Sequence, residues 1–137
     1  MNPLAAASDQ TMPLGAFLSM MGCLLLMTVV LVLMGAMGAR RRIRPNEFFG
    51  IRTRYTRSSE DAWYTVHELS AHWSIAAGLV CLPGLALLPV ATTPSGEAAA
   101  VLVPIGISLV VLLTGTGRAH RLAREREAGE VGRAELP

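Results

Sequence analysis

"LGAFLSMMGCLLLMTVVLVLMGAMGA", residues 14–39, is a long run without a single Asp, Glu, Lys, Arg or His. A helix needs about 20 apolar residues to cross the ~30 Å hydrocarbon core of a bilayer, so this run has length to spare. One crossing decides the class of fold, because backbone amides inside lipid must be satisfied within their own segment, as a helix satisfies them. A secretory leader is not expected here: residues 1–13 carry no basic residue, and the apolar run far exceeds a leader core of about 7–15 residues.

Composition points the same way. The chain is 52% hydrophobic and 16% charged with a mean hydropathy of +0.45, whereas an ordinary soluble domain is about 25% charged. All 12 basic residues are arginine, and the richness in Ala, Gly and Leu fits a high-GC bacterial genome.

Two further uncharged runs follow. Trp73 to Ala91 has Pro83 and Pro89 inside it, and Ala98 to Gly117 has Pro104 inside it; both are shorter than the first run but still sufficient to cross. Neighbouring helices and local adjustments tolerate proline in a membrane helix, so kinks rather than breaks are expected at Pro83 and Pro104. The predicted fold is an all-α membrane protein with three transmembrane helices. Its parts are an N-terminal tail (1–13), helix one (14–39), a basic loop (40–58), a helix start running into the second crossing (59–91), a turn (92–97), helix three (98–117) and a tail (118–137).

Three crossings leave four aqueous segments, and the arginines alternate among them. Residues 1–13 and 92–97 have none, while 40–72 hold seven and 118–137 hold five. The positive-inside rule then predicts N-out/C-in, with the structured loop between helices one and two in the cytoplasm of a bacterial cell.

The loop "RRRIRPNEFFGIRTRYTRSSEDAW" spans Arg40 to Trp63, and from Arg40 to Arg57 it sets seven arginines against Glu47 alone. Each such charge beside an anionic leaflet contributes on the order of 1 kcal/mol, so Arg40, Arg41, Arg42 and Arg44 are expected to contact lipid headgroups. Nucleic acid is excluded as a partner, since no nucleic-acid fold remains once three helices lie in the bilayer. Shape is a second message in the same stretch. Pro45 disfavours helix, Gly50 permits a positive φ, Asn46 can bridge backbone groups, and Phe48 and Phe49 are expected to dip into the interface. "SSEDAW" predicts a helix start with Ser58 as its cap and Glu60 and Asp61 at its positive terminus. Trp63 and His67, four residues apart, share one face of that helix.

The ordered set Pro45-Asn46, Phe49-Gly50-Ile51-Arg52-Thr53, Thr56, Trp63 and His67 resembles the loop of the SdpI immunity-protein family, small bacterial membrane proteins. The matching spacing runs from Pro45 to His67, and the three-helix layout extends the likeness over most of the chain. The resemblance implies protection of a cell against a secreted killing factor, together with a signalling role in which a small repressor is drawn to the membrane. It also marks Asn46, Gly50, Arg52, Thr53, Thr56, Trp63 and His67 as the candidate functional residues.

Each of these has a plainer physical reading. Arg52 can fork onto phosphate or carboxylate, or be one more topology arginine. Asn46 and Thr53 can close the turn through side-chain-to-backbone bonds. Trp63 suits the aromatic belt at the interface, and His67 suits either a satisfied buried site, paired with Asn46 or an Arg52-linked carboxylate, or a proton-sensitive one.

"HELSAH", His67 to His72, imitates the zincin H-E-x-x-H, but its second histidine is one position late. Five residues turn a helix by about 500°, leaving His72 roughly 140° from His67, so no metal set and no cofactor are expected. Glu68 and His72, at helical spacing, are expected to pair with each other. Cys23 and Cys81 fall at comparable depth inside crossings, as small residues at helix interfaces. Gly15, Ser19 and Cys23 form a four-residue ladder, and Gly35 with Ala39 another, fit for close packing within the chain, in a homo-oligomer or in a larger membrane complex. The absence of charge at the centre of any run counts against a transporter. The tail, with Arg121 and Glu125 at helical spacing, reads as a frayed amphipathic extension that can dock a protein partner. No nucleophile and base survive this geometry, so an enzyme is not expected; the alternative to an immunity or signalling protein is a structural accessory subunit.

Overall fold

The structure is a computed structural model describing residues 12–134, so most of the expected N-terminal tail lies outside the described residues. Four helices follow one another: α1 (Leu14–Ala39), α2 (Glu60–Leu79), α3 (Leu82–Leu87) and α4 (Pro94–Ala134), with a 3₁₀ turn at Leu88–Val90. Three helical stretches are long and apolar enough to cross a membrane: α1, the α2–α3 stretch from Glu60 to Val90, and α4. The central element is α2, which packs against α1 on one side and α4 on the other.

Helix α1 ends at Arg40 without a glycine. Arg41 takes the left-handed conformation at φ 52°, its N–H donates to Gly38 O (3.0 Å) and the Arg42 N–H donates to Met37 O (2.9 Å). This is a Schellman turn, built here on an arginine where glycine avoids a penalty of roughly 1–2 kcal/mol. The turn sends the chain back toward α2, and the Arg41 guanidinium then reaches Glu68 at 2.8 Å. Glu68 is therefore engaged by α1's end and not by His72, the partner expected for it.

Helix α2 starts one residue later than its sequence signal indicates. Ser59, not Ser58, is the cap and accepts from the Ala62 N–H at 3.0 Å. Ser58 instead donates to Tyr55 O at 2.7 Å, closing the preceding turn.

Glycine sets the α1–α2 spacing. A Cβ at Gly35 would lie 2.5 Å from Ala71 O, one at Gly38 2.8 Å from His67 O, and one at Gly78 3.0 Å from Thr28 O. These pairs run antiparallel, with backbone against backbone, and the hydroxyls of Thr28 and Ser74 turn inward on their own helices, whereas that of Ser108 donates across to Ala77 O. Thr28 bonds Leu24 O at 2.8 Å and Ser74 bonds Ser70 O at 3.2 Å. The expected ladder Gly15, Ser19 and Cys23 is exposed and takes no part in this packing. Ala39 is exposed as well, so Gly35 works with Gly38. Cys81 is buried beside Ser108 (3.7 Å) while Cys23 is exposed, so the two cysteines serve different surroundings.

The prolines act differently from one another. Pro83 has no N–H for Leu79 O and its ring crowds that carbonyl, so α2 breaks at Val80–Cys81 rather than kinking, although both residues keep helical backbone angles. Pro104 leaves α4 continuous. The Ala100 carbonyl that it frees lies against Gly84, where no Cβ could fit.

Helix α4 is longer than expected at both ends. At 41 residues it measures about 61 Å, twice the hydrocarbon core. The C-terminal segment continues the third crossing as helix, with the buried stripe running beyond Arg118 as far as Ala123 and residues 124–133 exposed. The stripe is Ala100, Pro104, Ser108, Gly115, Ala119 and Ala123, at spacings of four and seven; Ala100 and Pro104 face Gly84 of α3, and the positions from Ser108 onward face α2.

Gly35→Leu should separate α1 from α2 and lower stability by about 1–3 kcal/mol, the usual penalty of overpacking. Gly22→Ala, with nothing within 4 Å of the added Cβ, should not. Thermal unfolding of both variants in detergent checks this, and equal midpoints would refute the assigned spacing.

Candidate functional site

The loop of residues 40–59 is built around backbone groups that its own polar side chains satisfy. Asn46 donates through Nδ2 to Arg44 O (2.8 Å) and accepts through Oδ1 from the N–H groups of Phe48 (2.9 Å) and Phe49 (2.7 Å). That is a closed Asx turn. Arg52 spans it from the other side, donating to the Glu47 carbonyl and to its carboxylate. The two arms of the guanidinium fork are thus filled by the backbone carbonyl and one carboxylate oxygen of Glu47.

Thr53 and Thr56 close the second half. The Thr53 N–H donates to Thr56 Oγ1 (2.8 Å), the Thr56 N–H donates to Thr53 Oγ1 (3.2 Å), and the Thr56 hydroxyl donates to Ile51 O (2.8 Å). Thr56 is fully buried.

The two halves meet at His67. The Ile51 N–H donates to His67 Nε2 at 2.8 Å, and Nδ1 lies 2.7 Å from Trp63 O. A ring nitrogen that accepts an amide bears no proton, so the proton is on Nδ1, donated to Trp63 O; this assigns a neutral imidazole in one tautomer. Its partner is a backbone amide of the loop, neither Asn46 nor a carboxylate. Gly50 makes the approach possible in two ways. Its φ is 116°, and a Cβ there would strike His67 Nε2 and come within 3.1 Å of Trp63 Cζ2.

Trp63 is not a belt residue. It is 2% exposed, its ring is 4.5 Å from that of His67, and its indole N–H donates to Ile43 O at 2.9 Å. The reason is steric: α2 starts beneath the loop, so the Trp63 face is covered by residues 43–51 before it can reach lipid. Phe48, in contrast, is 97% exposed at the loop tip.

Helix α4 supplies what the sequence reading missed. His120 Nε2 lies 3.3 Å from Thr53 Oγ1, the Tyr55 hydroxyl donates to Glu127 at 3.1 Å, and the Arg124 guanidinium sits 5.2 Å over the Tyr55 ring. Partial burial, then the bond to the Glu127 carboxylate, pushes the Tyr55 phenol above its ordinary range and keeps it a donor. Ile51, Tyr55 and Leu69 pack on Val66, Ala119 and Ala123 beneath these contacts. The small-residue ladder Gly115, Ala119 and Ala123 was the available signal for this docking, since it passes Arg118 without losing register.

Among Asn46, Gly50, Arg52, Thr53, Thr56, Trp63 and His67, the structure joins Gly50, Thr53, Thr56, Trp63 and His67 through Ile51, while Asn46 and Arg52 shape the turn above. Between that turn and the start of α2 is a hollow of about 590 Å³, bordered by Asn46, Glu47, Thr56, Arg57 and Trp63. Of the arginines expected at lipid headgroups, Arg41 is paired with Glu68, whereas Arg40, Arg42 and Arg44 are exposed. No group of three or more metal-ligating residues occurs among the described residues.

His67→Phe keeps an aromatic ring but leaves the half-buried Ile51 amide without an acceptor, an omission that costs about 1–3 kcal/mol where water cannot replace it. The loop should then become sensitive to limited proteolysis near residues 44–54, with Trp63 fluorescence shifted to the red. Unchanged cleavage and emission would show that the imidazole does not hold the loop.

No curated protein and no solved structure matches the chain significantly. A family match does exist and covers residues 42–116, more than half of the chain. It opens at the Schellman turn and takes in the whole His67 clasp, α2, the proline-broken α3 and α4 as far as its last apolar turn. By that match the chain belongs to the SdpI/YfhL protein family.

Proposed function

We propose that this is a multi-pass protein of a bacterial plasma membrane, oriented N-out/C-in, in which the loop of residues 40–58 relays an event at the outer face to a cytoplasmic partner, as an immunity or signalling protein does. The observation that carries the reading is the dual attachment of the loop. It is bonded to α2 through His67 and Trp63 and to α4 through His120 and Glu127. A change in how α2 and α4 pack therefore alters the loop directly.

The opposite end of these same helices favours such a relay. An apolar cleft of about 610 Å³ opens there between the α3 region and α4, bordered by Pro83, Gly84, Leu87, Ala100, Val103 and Pro104. The loss of the helical hydrogen bond that Pro83 cannot donate to Leu79 O makes that end the more easily repacked. Charge supports the orientation: all twelve arginines lie at the loop end, and Glu97 is the only charged side chain at the other end among the described residues.

A second reading, an accessory subunit of a larger complex, draws on α1. Gly15, Ser19 and Cys23 are exposed in a ladder, with nothing within 4 Å of a Cβ at Gly15, a surface suited to a partner helix. Stoichiometric co-purification with an unrelated complex would favour it.

Orientation is tested with single cysteines in a chain whose Cys23 and Cys81 are replaced by alanine. Ser95→Cys should react with an impermeant thiol reagent in intact cells and Ser58→Cys should not; the reverse pattern overturns the topology. For function, a deletion strain should become sensitive to at least one envelope-active peptide, and Gly50→Ala, expressed at wild-type level, should fail to restore resistance. Unchanged sensitivity across a broad peptide panel counts against immunity.

A further inference from the structure

The arginines of this chain divide into those already matched by a carboxylate and those that are not. Arg41 pairs with Glu68, Arg52 with Glu47 and Arg121 with Glu125. Arg54 and Arg124 form no ion pair among the described residues, yet they come from different elements, the loop and α4, to border one hollow. That hollow measures about 310 Å³ and is bordered by Thr53, Arg54, Tyr55, His120 and Arg124, with no carboxylate on its wall.

The acidic residues of this stretch of α4 already have donors: Glu125 accepts from Arg121 at 2.8 Å, and Glu127 accepts at 3.1 Å from the hydroxyl of Tyr55, itself on the wall. The donors, in turn, are held in place. The Tyr55 ring carries the Arg124 guanidinium at 5.2 Å and meets the His120 ring edge-on at 5.6 Å, and His120 Nε2 lies 3.3 Å from Thr53 Oγ1. We propose that the hollow between Thr53, Arg54, His120 and Arg124 is a binding site for a phosphate group, the headgroup phosphate of an anionic lipid.

Chemistry and depth both select this ligand. Two guanidiniums, an imidazole and a hydroxyl surround a space with no carboxylate on its wall, which suits an anion with several oxygens at once. Each water occupies about 30 Å³ of liquid, so a hollow of this size accommodates a phosphate together with part of its glycerol. The uncharged run of α4 ends at Gly117 and Arg118 follows, its guanidinium 5.4 Å over the Trp73 ring. An aromatic ring with an arginine above it marks the hydrocarbon boundary. Measured along the helix from Arg118, His120 is about 3 Å and Arg124 about 9 Å further out, and the headgroup layer is about 5–8 Å thick on each side. The hollow is therefore at phosphate depth. This inference uses the reading of α4 as a membrane crossing and is independent of the immunity reading; it also differs from general attraction to Arg40, Arg42 and Arg44, since it predicts a specific stoichiometric site.

The test is native mass spectrometry of the purified full chain in detergent, titrated with phosphatidylglycerol or with phosphatidylcholine. Wild type should retain one phosphatidylglycerol, and the Arg54→Gln/Arg124→Gln double variant should bind it about tenfold more weakly, equivalent to ~1.4 kcal/mol. Arg133→Gln, which removes one positive charge from α4 outside the hollow and so matches the Arg124→Gln half of the double variant, should bind as wild type does. Competition by millimolar inorganic phosphate assigns the source: no displacement supports the lipid headgroup, whereas full displacement overturns the lipid assignment in favour of a soluble phosphate. Should the double variant lose its monodisperse elution, Arg54→Gln alone provides the reading with a smaller fall, because that side chain makes no hydrogen bond or ion pair among the described residues. Equal lipid retention by wild type and variant, or an equal loss in Arg133→Gln, overturns the site.

Discussion

The hydrogen bond from the Ile51 amide to His67 Nε2 organises the cap of this bundle, because so much else is possible only once it forms. It fixes the imidazole tautomer, and with it the Nδ1 bond to Trp63 O inside the first turns of α2. It demands that the loop backbone come within contact of the ring, which only a residue lacking Cβ at position 50 allows. The same approach covers Trp63 and lets its indole reach Ile43 O. A buried amide without an acceptor is destabilising by about as much as several surface ion pairs contribute together. One neutral contact thus outweighs the scattered arginine charges in determining the loop's shape.

Close approach of helices is the second constraint, and it links the clasp to the rest of the chain. Lipid tails are as apolar as leucine, so burying large side chains gives membrane helices little reason to associate; packing of small surfaces does. Gly35, Gly38 and Gly78 bring α1 against α2, and the small stripe of α4 does the same on the other side. Gly38 lies against His67 O, so the residue that holds the loop is also a residue of the α1–α2 contact. Thr53 and His120 complete the connection to α4. The loop is consequently a junction of all three long helices.

The helical segments were legible in the sequence because a sustained absence of charge, as in Leu14 to Ala39, reflects the solvent directly, whatever the packing. The positions of Asn46 and Gly50 were legible too, since their turn chemistry is local. Three features were not. Trp63 was read as an interfacial anchor because its composition class favours that, and only the path of residues 43–51 over α2 shows it covered. Pro83 and Pro104 have the same local chemistry, yet one breaks its helix and the other does not, a difference decided by neighbours distant in sequence. The docking of α4 depends on contacts between residues far apart in the chain, Thr53 with His120 and Tyr55 with Glu127, and Arg118 obscured the continuing small-residue ladder by ending the uncharged run.

Charge and order in the arginine-rich loop obey different physics. Attraction to an anionic leaflet depends on how many arginines lie near the surface, and permuting them within the loop would leave it nearly unchanged. The clasp depends on Gly50 standing one residue before the amide that His67 accepts, on Asn46 standing two and three residues before the amides of Phe48 and Phe49, and on Thr56 standing five after Ile51. Arg52 belongs to this ordered set, because its guanidinium is filled by Glu47 of the same turn. Arg54, two positions on, does not: the turn at Thr53 directs it away from that carboxylate and toward α4. Neighbouring residues of identical type therefore have separate roles, and what separates them is the backbone path that the Ile51–His67 bond imposes.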